Sequence, residues 1–143
     1  MAAGDITVEV KVSGTLVSGD AVAAFDESRV FASTADYYDR TLTVPTSEAT
    51  ILQIGTVAGA TLAALNCLVV YNLDAANYLT LGIKATGAKS VYFKILAGRL
   101  LVLTSSVLEC DDDAGAAFAA FSNVDIITLQ ANTGAVKTRV VAL

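Results

Sequence analysis

Histidine is absent from these 143 residues. With it go the commonest general base, the usual orienter of a Ser or Cys nucleophile and the commonest transition-metal ligand. Tryptophan is absent too, and proline and methionine occur once each. The two cysteines, Cys67 in LNCLVV and Cys110 in VLECDD, match no metal-knuckle spacing, and their apolar settings predict buried free thiols. Charged residues make up only 16% of the chain, and 9 Lys plus Arg against 14 Asp plus Glu give a net charge of -5. That sign argues against a nucleic-acid partner. No apolar run approaches the roughly 18 residues of a membrane helix, and no G-x-G-x-x-G cradle stands between a strand and a helix. The opening MAAGDITVEVKV lacks a basic head followed by an apolar block, so we expect neither signal peptide nor anchor, and a protein made and used in soluble form.

What the chain has in excess is apolar surface. The AVILMFWYC share is 55%, above the ~45–50% usual even when Gly is counted. The length suits one domain, residues 1–143, able to bury about 68–70% of its unfolded surface. A surplus beyond one core is expected to pack against other subunits.

The apolar pattern is that of strands. Ile6, Val8, Val10 and Val12 alternate with Thr7, Glu9 and Lys11, the two-residue period of a strand with one wet face. Ser13-Gly14-Thr15 then offers a turn and Leu16-Val17 a return arm, an opening hairpin. Residues 21–31 fit helix or extended chain equally. Arg40 to Val44 alternates again and stops at Pro45, which cannot donate to a ladder. Thr50 to Val57 reads as another strand.

Leu68 to Leu73 and Tyr78 to Lys84 flank Asp74-Ala75-Ala76-Asn77, whose Asn72, Asp74 and Asn77 side chains suit a reversing chain. This predicts a hairpin. Ser90 to Ile95 and Arg99 to Thr104 flank Leu96-Ala97-Gly98, and Asp125 to Ala131 and Val136 to Leu143 flank Asn132 to Ala135. Gly98 and Gly134 are expected to supply positive φ there. Eight to ten short strands with turn signals every 8–12 residues or so predict an all-β sandwich or closed barrel. One stretch departs: Asp111, Asp112 and Asp113 lead an alanine-rich run, predicting a short helix near residues 111–121 with carboxylates at its positive end.

Chemistry-bearing groups are thin. Thr104, Ser105 and Ser106 form the densest hydroxyl cluster with no base beside them in sequence. Asp111 to Asp113 lack the spaced pattern of a calcium loop and read as a solvated or intersubunit face. Asp26-Glu27 and Glu48 show no better grouping. Tyr37-Tyr38, the one adjacent tyrosine pair, suits a subunit contact or a sugar platform. We therefore assign no catalytic, metal or cofactor residues and expect a protein that is not an enzyme and needs no cofactor.

Four phrases carry a family resemblance: RTLTVPTSE (Arg40 to Glu48), LVVYNLDAANYLTLGI (Leu68 to Ile83), FKILAGRLLVL (Phe93 to Leu103) and LQANTGAVKTRVVAL (Leu129 to Leu143). Their order resembles small jelly-roll virion proteins of tailed bacteriophages, with an N-L-D-x-x-N-Y hairpin, a K-L-x-A-G-E-like turn and a closing A-x-T-x-x-V strand. The likeness covers about half of the chain, leaves residues 18–39 and 107–124 unmatched, and meets Arg99 where relatives often carry an acid. It implies a jelly-roll-like antiparallel β-sandwich acting as a capsid decoration or cement protein. Its expected partners are its own copies, as a trimer, and the major capsid protein, with no nucleic acid and no membrane; its expected place is the capsid surface of the virion, after synthesis in the host cytoplasm. A tail or adaptor component is the alternative, and a carbohydrate-binding module using Tyr37-Tyr38 a third.

Overall fold

The structure is a computed structural model and describes residues 6–12, 25–31, 37–55, 59–85, 90–104 and 124–143. The described residues are all-β. They form ten strands: β1 (Ile6–Val12), β2 (Phe25–Phe31), β3 (Tyr38–Val44), β4 (Ala49–Gln53), β5 (Cys67–Asn72), β6 (Leu79–Ala85), β7 (Ser90–Ile95), β8 (Leu100–Thr104), β9 (Val124–Ala131) and β10 (Val136–Ala142). The helix expected at 111–121 lies outside the described residues.

The chain divides into two compact units, Met1–Ala35 and Asp36–Leu143. In the first, β1 and β2 pair antiparallel from Ile6 opposite Phe31 to Val12 opposite Phe25. Thr7, Glu9 and Lys11 are exposed, as the alternation predicts. The partner of β1 is thus Phe25–Phe31, further along the chain than the Leu16-Val17 arm expected from the turn signal, and the ambiguous 21–31 stretch is extended where it is described.

The second unit holds two antiparallel four-stranded sheets, ordered β3-β10-β5-β8 and β4-β9-β6-β7. One core lies between them. Leu68, Val70, Val136 and Val140 from the first sheet join Leu52, Leu79, Leu81, Ile83, Ile127 and Leu129 from the second in a single buried cluster, the arrangement of a β-sandwich. Alternation decides which residues enter it: on β6 Leu79, Leu81 and Ile83 point inward while Thr80, Gly82 and Lys84 point out. The pairings nest about the β6–β7 pair, since β6 pairs β7, β5 pairs β8, β4 pairs β9 and β3 pairs β10. The eight strands of this unit thereby form one long ribbon. It rolls up where β10 meets β5 and β9 meets β6.

This topology corrects three expected hairpins. Asp74 to Asn77 does reverse the chain: Asp74 Oδ1 accepts from the backbone N–H groups of Ala76 at 2.8 Å and Asn77 at 2.7 Å. Yet β5 and β6 lie in different sheets, so the connector arches across the sandwich. The same holds for β7 to β8 and for β9 to β10. At the β7–β8 corner Gly98 has φ +65°, as expected, with Arg99 N–H donating to Leu96 O at 3.1 Å. Gly134 does not take the positive φ expected of it. The strand predicted over Thr50 to Val57 ends at Gln53, after which Ile54 N–H donates to Asp125 O at 2.8 Å, Ile54 forms an isolated parallel bridge to Leu62 and Gly55 takes φ +101°.

Candidate interaction face

Strand β5 reads CLVVYN and β8 reads LLVLT, apolar at both parities. A strand facing a core with one side and water with the other would alternate. The inward parity, Leu68 and Val70 with Leu101 and Leu103, belongs to or packs on the core. The outward parity is left over. Val69 stands opposite Val102 and Tyr71 opposite Leu100 across the β5–β8 pair, and Val141 of β10 stands opposite Val69. Leu100 is 58% exposed and Tyr71 39%, while Val69, Val102 and Val141 are half-buried. These five side chains form an apolar strip on the outer face of the sheet. The strip contains no charge and runs up to the β8 edge.

Directly beside the strip, toward the β3 edge, the chemistry changes: Arg139 stands opposite Tyr71, and Asp39 opposite Val141. Arg139 of β10 forks onto Asp39 of β3, with Nε 3.0 Å from Oδ1 and Nη2 2.9 Å from Oδ2. The Arg139 hydrogen bond holds the Asp39 carboxyl below its ordinary value, and Asp39 raises Arg139 in turn. Arg40 lies over the Tyr38 ring, 5.6 Å from its centroid. Pro45 ends the strand.

The outer face of β4-β9-β6-β7 is polar. Gly82 sits opposite both Thr128 on β9 and Tyr92 on β7. A Cβ at Gly82 would lie 2.3 Å from Thr128 Oγ1 and 3.0 Å from Tyr92 Cε1, so the absence of a side chain there lets both neighbours close over the backbone. Thr128 Oγ1 donates to Glu48 Oε1 at 2.8 Å, and Lys84 Nζ lies 2.7 Å from the same oxygen. The Glu48 carboxyl is held below its ordinary value, chiefly by the Lys84 hydrogen bond and then by Thr128, and Lys84 is raised by Glu48. Lys94 lies 4.1 Å from the Tyr78 ring centroid.

The residues singled out from sequence are scattered over this frame. Tyr37 is 64% exposed, whereas Tyr38 packs against the core, so the adjacent pair makes no shared platform. Tyr37 precedes β3, whose first residue, Tyr38, points inward. Thr104 is exposed at the end of β8; Ser105, Ser106, Cys110 and Asp111 to Asp113 lie outside the described residues. Cys67 is a buried free thiol whose pKa burial pushes up, as expected of it. Asp26 and Glu27 lie on β2. Glu48 is the one carboxylate of the group that the fold supplies with described partners, Lys84 and Thr128, from two other strands. No group of three or more Cys, Asp or Glu among the described residues is placed to hold a metal ion. No described helix is long and apolar enough to cross a membrane. The apolar strip itself went unnoticed in sequence, although the unbroken runs Cys67 to Tyr71 and Leu100 to Leu103 carry its signal.

Comparison with protein-family models, with curated proteins and with solved structures gives no match to this chain.

Proposed function

We propose that this chain is a structural protein of a phage virion, a capsid decoration protein that binds the major capsid shell as an oligomer, built on a jelly roll. Two things support the frame. The resemblance in strand and turn phrases is one. The other is the strand order: an eight-stranded ribbon nested about the β6–β7 pair and rolled into two four-stranded sheets is the pattern of a double-sheet jelly roll, common among capsid domains. The observation that carries the role is the uncharged strip of Val69, Tyr71, Leu100, Val102 and Val141 on the surface of a chain of net charge -5. Such a strip favours association over solvent exposure, and many modest contacts on a shell add by effective concentration.

The test is binding to DNA-filled heads that lack the protein, read by co-sedimentation and imaging. Saturable binding spread over the whole shell is expected. Purified protein that stays in the supernatant at every head concentration overturns the reading, and density confined to a single vertex replaces it with the tail or adaptor alternative.

A further inference from the structure

The four sheet edges of the sandwich are not equally guarded. An edge strand offers unpaired N–H and C=O groups, and folded chains blunt such edges with charge, proline or a bulge. Strand β3 carries Asp39 and Arg40 and stops at Pro45. Strand β4 is interrupted by a register shift between Thr50 and Leu52. Strand β7 carries Lys94. Strand β8, LLVLT, has no charge and no proline, and its pairing with β5 runs without a shift.

The direction of its backbone groups that no described strand pairs follows from one hydrogen bond. Asn72 N–H donates to Arg99 O at 3.0 Å, which makes Arg99 and Asn72 a bonded pair. Bonded and non-bonded pairs alternate along an antiparallel ladder. Leu101 and Leu103 therefore bond to β5, and the N–H and C=O groups of Leu100, Val102 and Thr104 face away from it. These are also the outward-parity residues, so the free edge and the apolar strip meet along one line.

We propose that β8 is the edge through which two copies of this chain join, pairing antiparallel about a two-fold axis at Val102. Val102 then stands opposite its own counterpart and Leu100 opposite Thr104 of the partner subunit. The two copies' sheets continue as one, and the Val141–Val69–Val102 row of each meets that of the other end to end. A second copy is the occupant that the charge pattern favours. Two chains of net charge -5 repel except where neither presents charge, and β8 against the partner's β8 is the match free of both charge and bulge, since β4, ATILQ, is uncharged but carries the register shift. Pairing β8 with the partner's β3 would bring Asp39 and Arg40 against an apolar strand. The proposal rests on reading the chain as a self-associating building block, and not on its place in a virion. It also calls for a dimer where the family likeness implies a trimer.

The test is the mass of the full chain in solution by sedimentation, with circular dichroism to confirm folding. The wild-type chain is expected to be a dimer. Val102→Lys sets two ammoniums opposite each other and should raise the dissociation constant by roughly tenfold or more, whereas Val102→Thr should stay dimeric. Leu100→Lys at its exposed position should weaken the dimer, Leu100→Lys with Thr104→Lys weaken it further, and Leu100→Lys with Thr104→Glu restore it, because the two positions face each other only across the axis. A dimer indifferent to these changes, or a trimer, overturns the edge pairing and leaves self-association standing. A monomer overturns both.

Discussion

The two outer faces of the sandwich solve the same problem in opposite ways. On β4-β9-β6-β7, Glu48, Lys84 and Thr128 bond to one another and Tyr92 closes over Gly82, so that face is satisfied within one chain. On β3-β10-β5-β8, the Asp39–Arg139 pair serves one edge and an apolar strip extends to the other with nothing among the described residues bonding its free edge. The lesson is that a sheet face can look inward for its partners or leave them to be supplied. Substitutions on the polar face should therefore change the stability of the folded chain, and those on the apolar face should change association.

The largest effect is expected beneath both faces, at Asn72. Its Nδ2 donates to Asn77 O at 2.8 Å and to Ile95 O at 3.2 Å, and its Oδ1 accepts from Asp74 N–H at 3.0 Å. This buried amide ties the β5–β6 arch to the end of β7 and so links the two sheets. Asn72→Ala leaves two carbonyls and an N–H without it, a loss expected at about 2–4 kcal/mol. Urea unfolding measures it. A loss below about 1 kcal/mol would mean that water takes over the amide's partners and that the arch is held by packing.

Gly82→Ala should come next and separates the faces directly. The new Cβ meets Thr128 Oγ1, so the hydroxyl must move away from Glu48, at an expected cost of about 1–3 kcal/mol. In a Thr128→Ala background the cost should shrink, and the difference is a coupling energy. Tyr71→Thr on the other face should change single-chain stability by only about 0.5 kcal/mol. Equal losses at Gly82 and Tyr71 would break the comparison.

Much of this frame was legible in the sequence. Alternation located β1 and β3, and the side-chain chemistry of Asn72, Asp74 and Asn77 located a reversal. What it left open is where each reversal leads. A turn that reverses a chain serves a hairpin within one sheet and an arch between two equally well, and the choice depends on partners far away in sequence, such as β10 beside β5. Strand β2 was ambiguous because AVAAF favours helix while DESRVF does not, and its pairing with β1 decides for strand. The Glu48 cluster was hidden for the same reason as the arches. It joins residue 48 to residues 84 and 128, and only the order β4-β9-β6 brings them together.

The smallest expected effect is the acid sensitivity of that cluster. Glu48 has a lowered folded pKa, so its contribution is fully present above the unfolded value of about 4.3 and is lost as the pH falls through the lower folded value. The Glu48 side chain is 38% exposed and that of Lys84 25%, so solvent screening holds the contribution to about 0.5 kcal/mol. Asp39 is lowered in the same direction by Arg139, and Asp74 by the backbone N–H groups of Asn77 and Ala76, so the wild-type acid transition mixes the two faces with the β5–β6 arch. Glu48→Gln separates them. It keeps an acceptor for Thr128 and removes the charge that Lys84 holds, so the stability difference between wild type and variant should close as the pH falls into the acid range, leaving the Asp39 and Asp74 parts in both. A difference that stays constant with pH would assign Glu48's role to its hydrogen bond from Thr128 alone, and the polar face would then owe its integrity to neutral packing over Gly82.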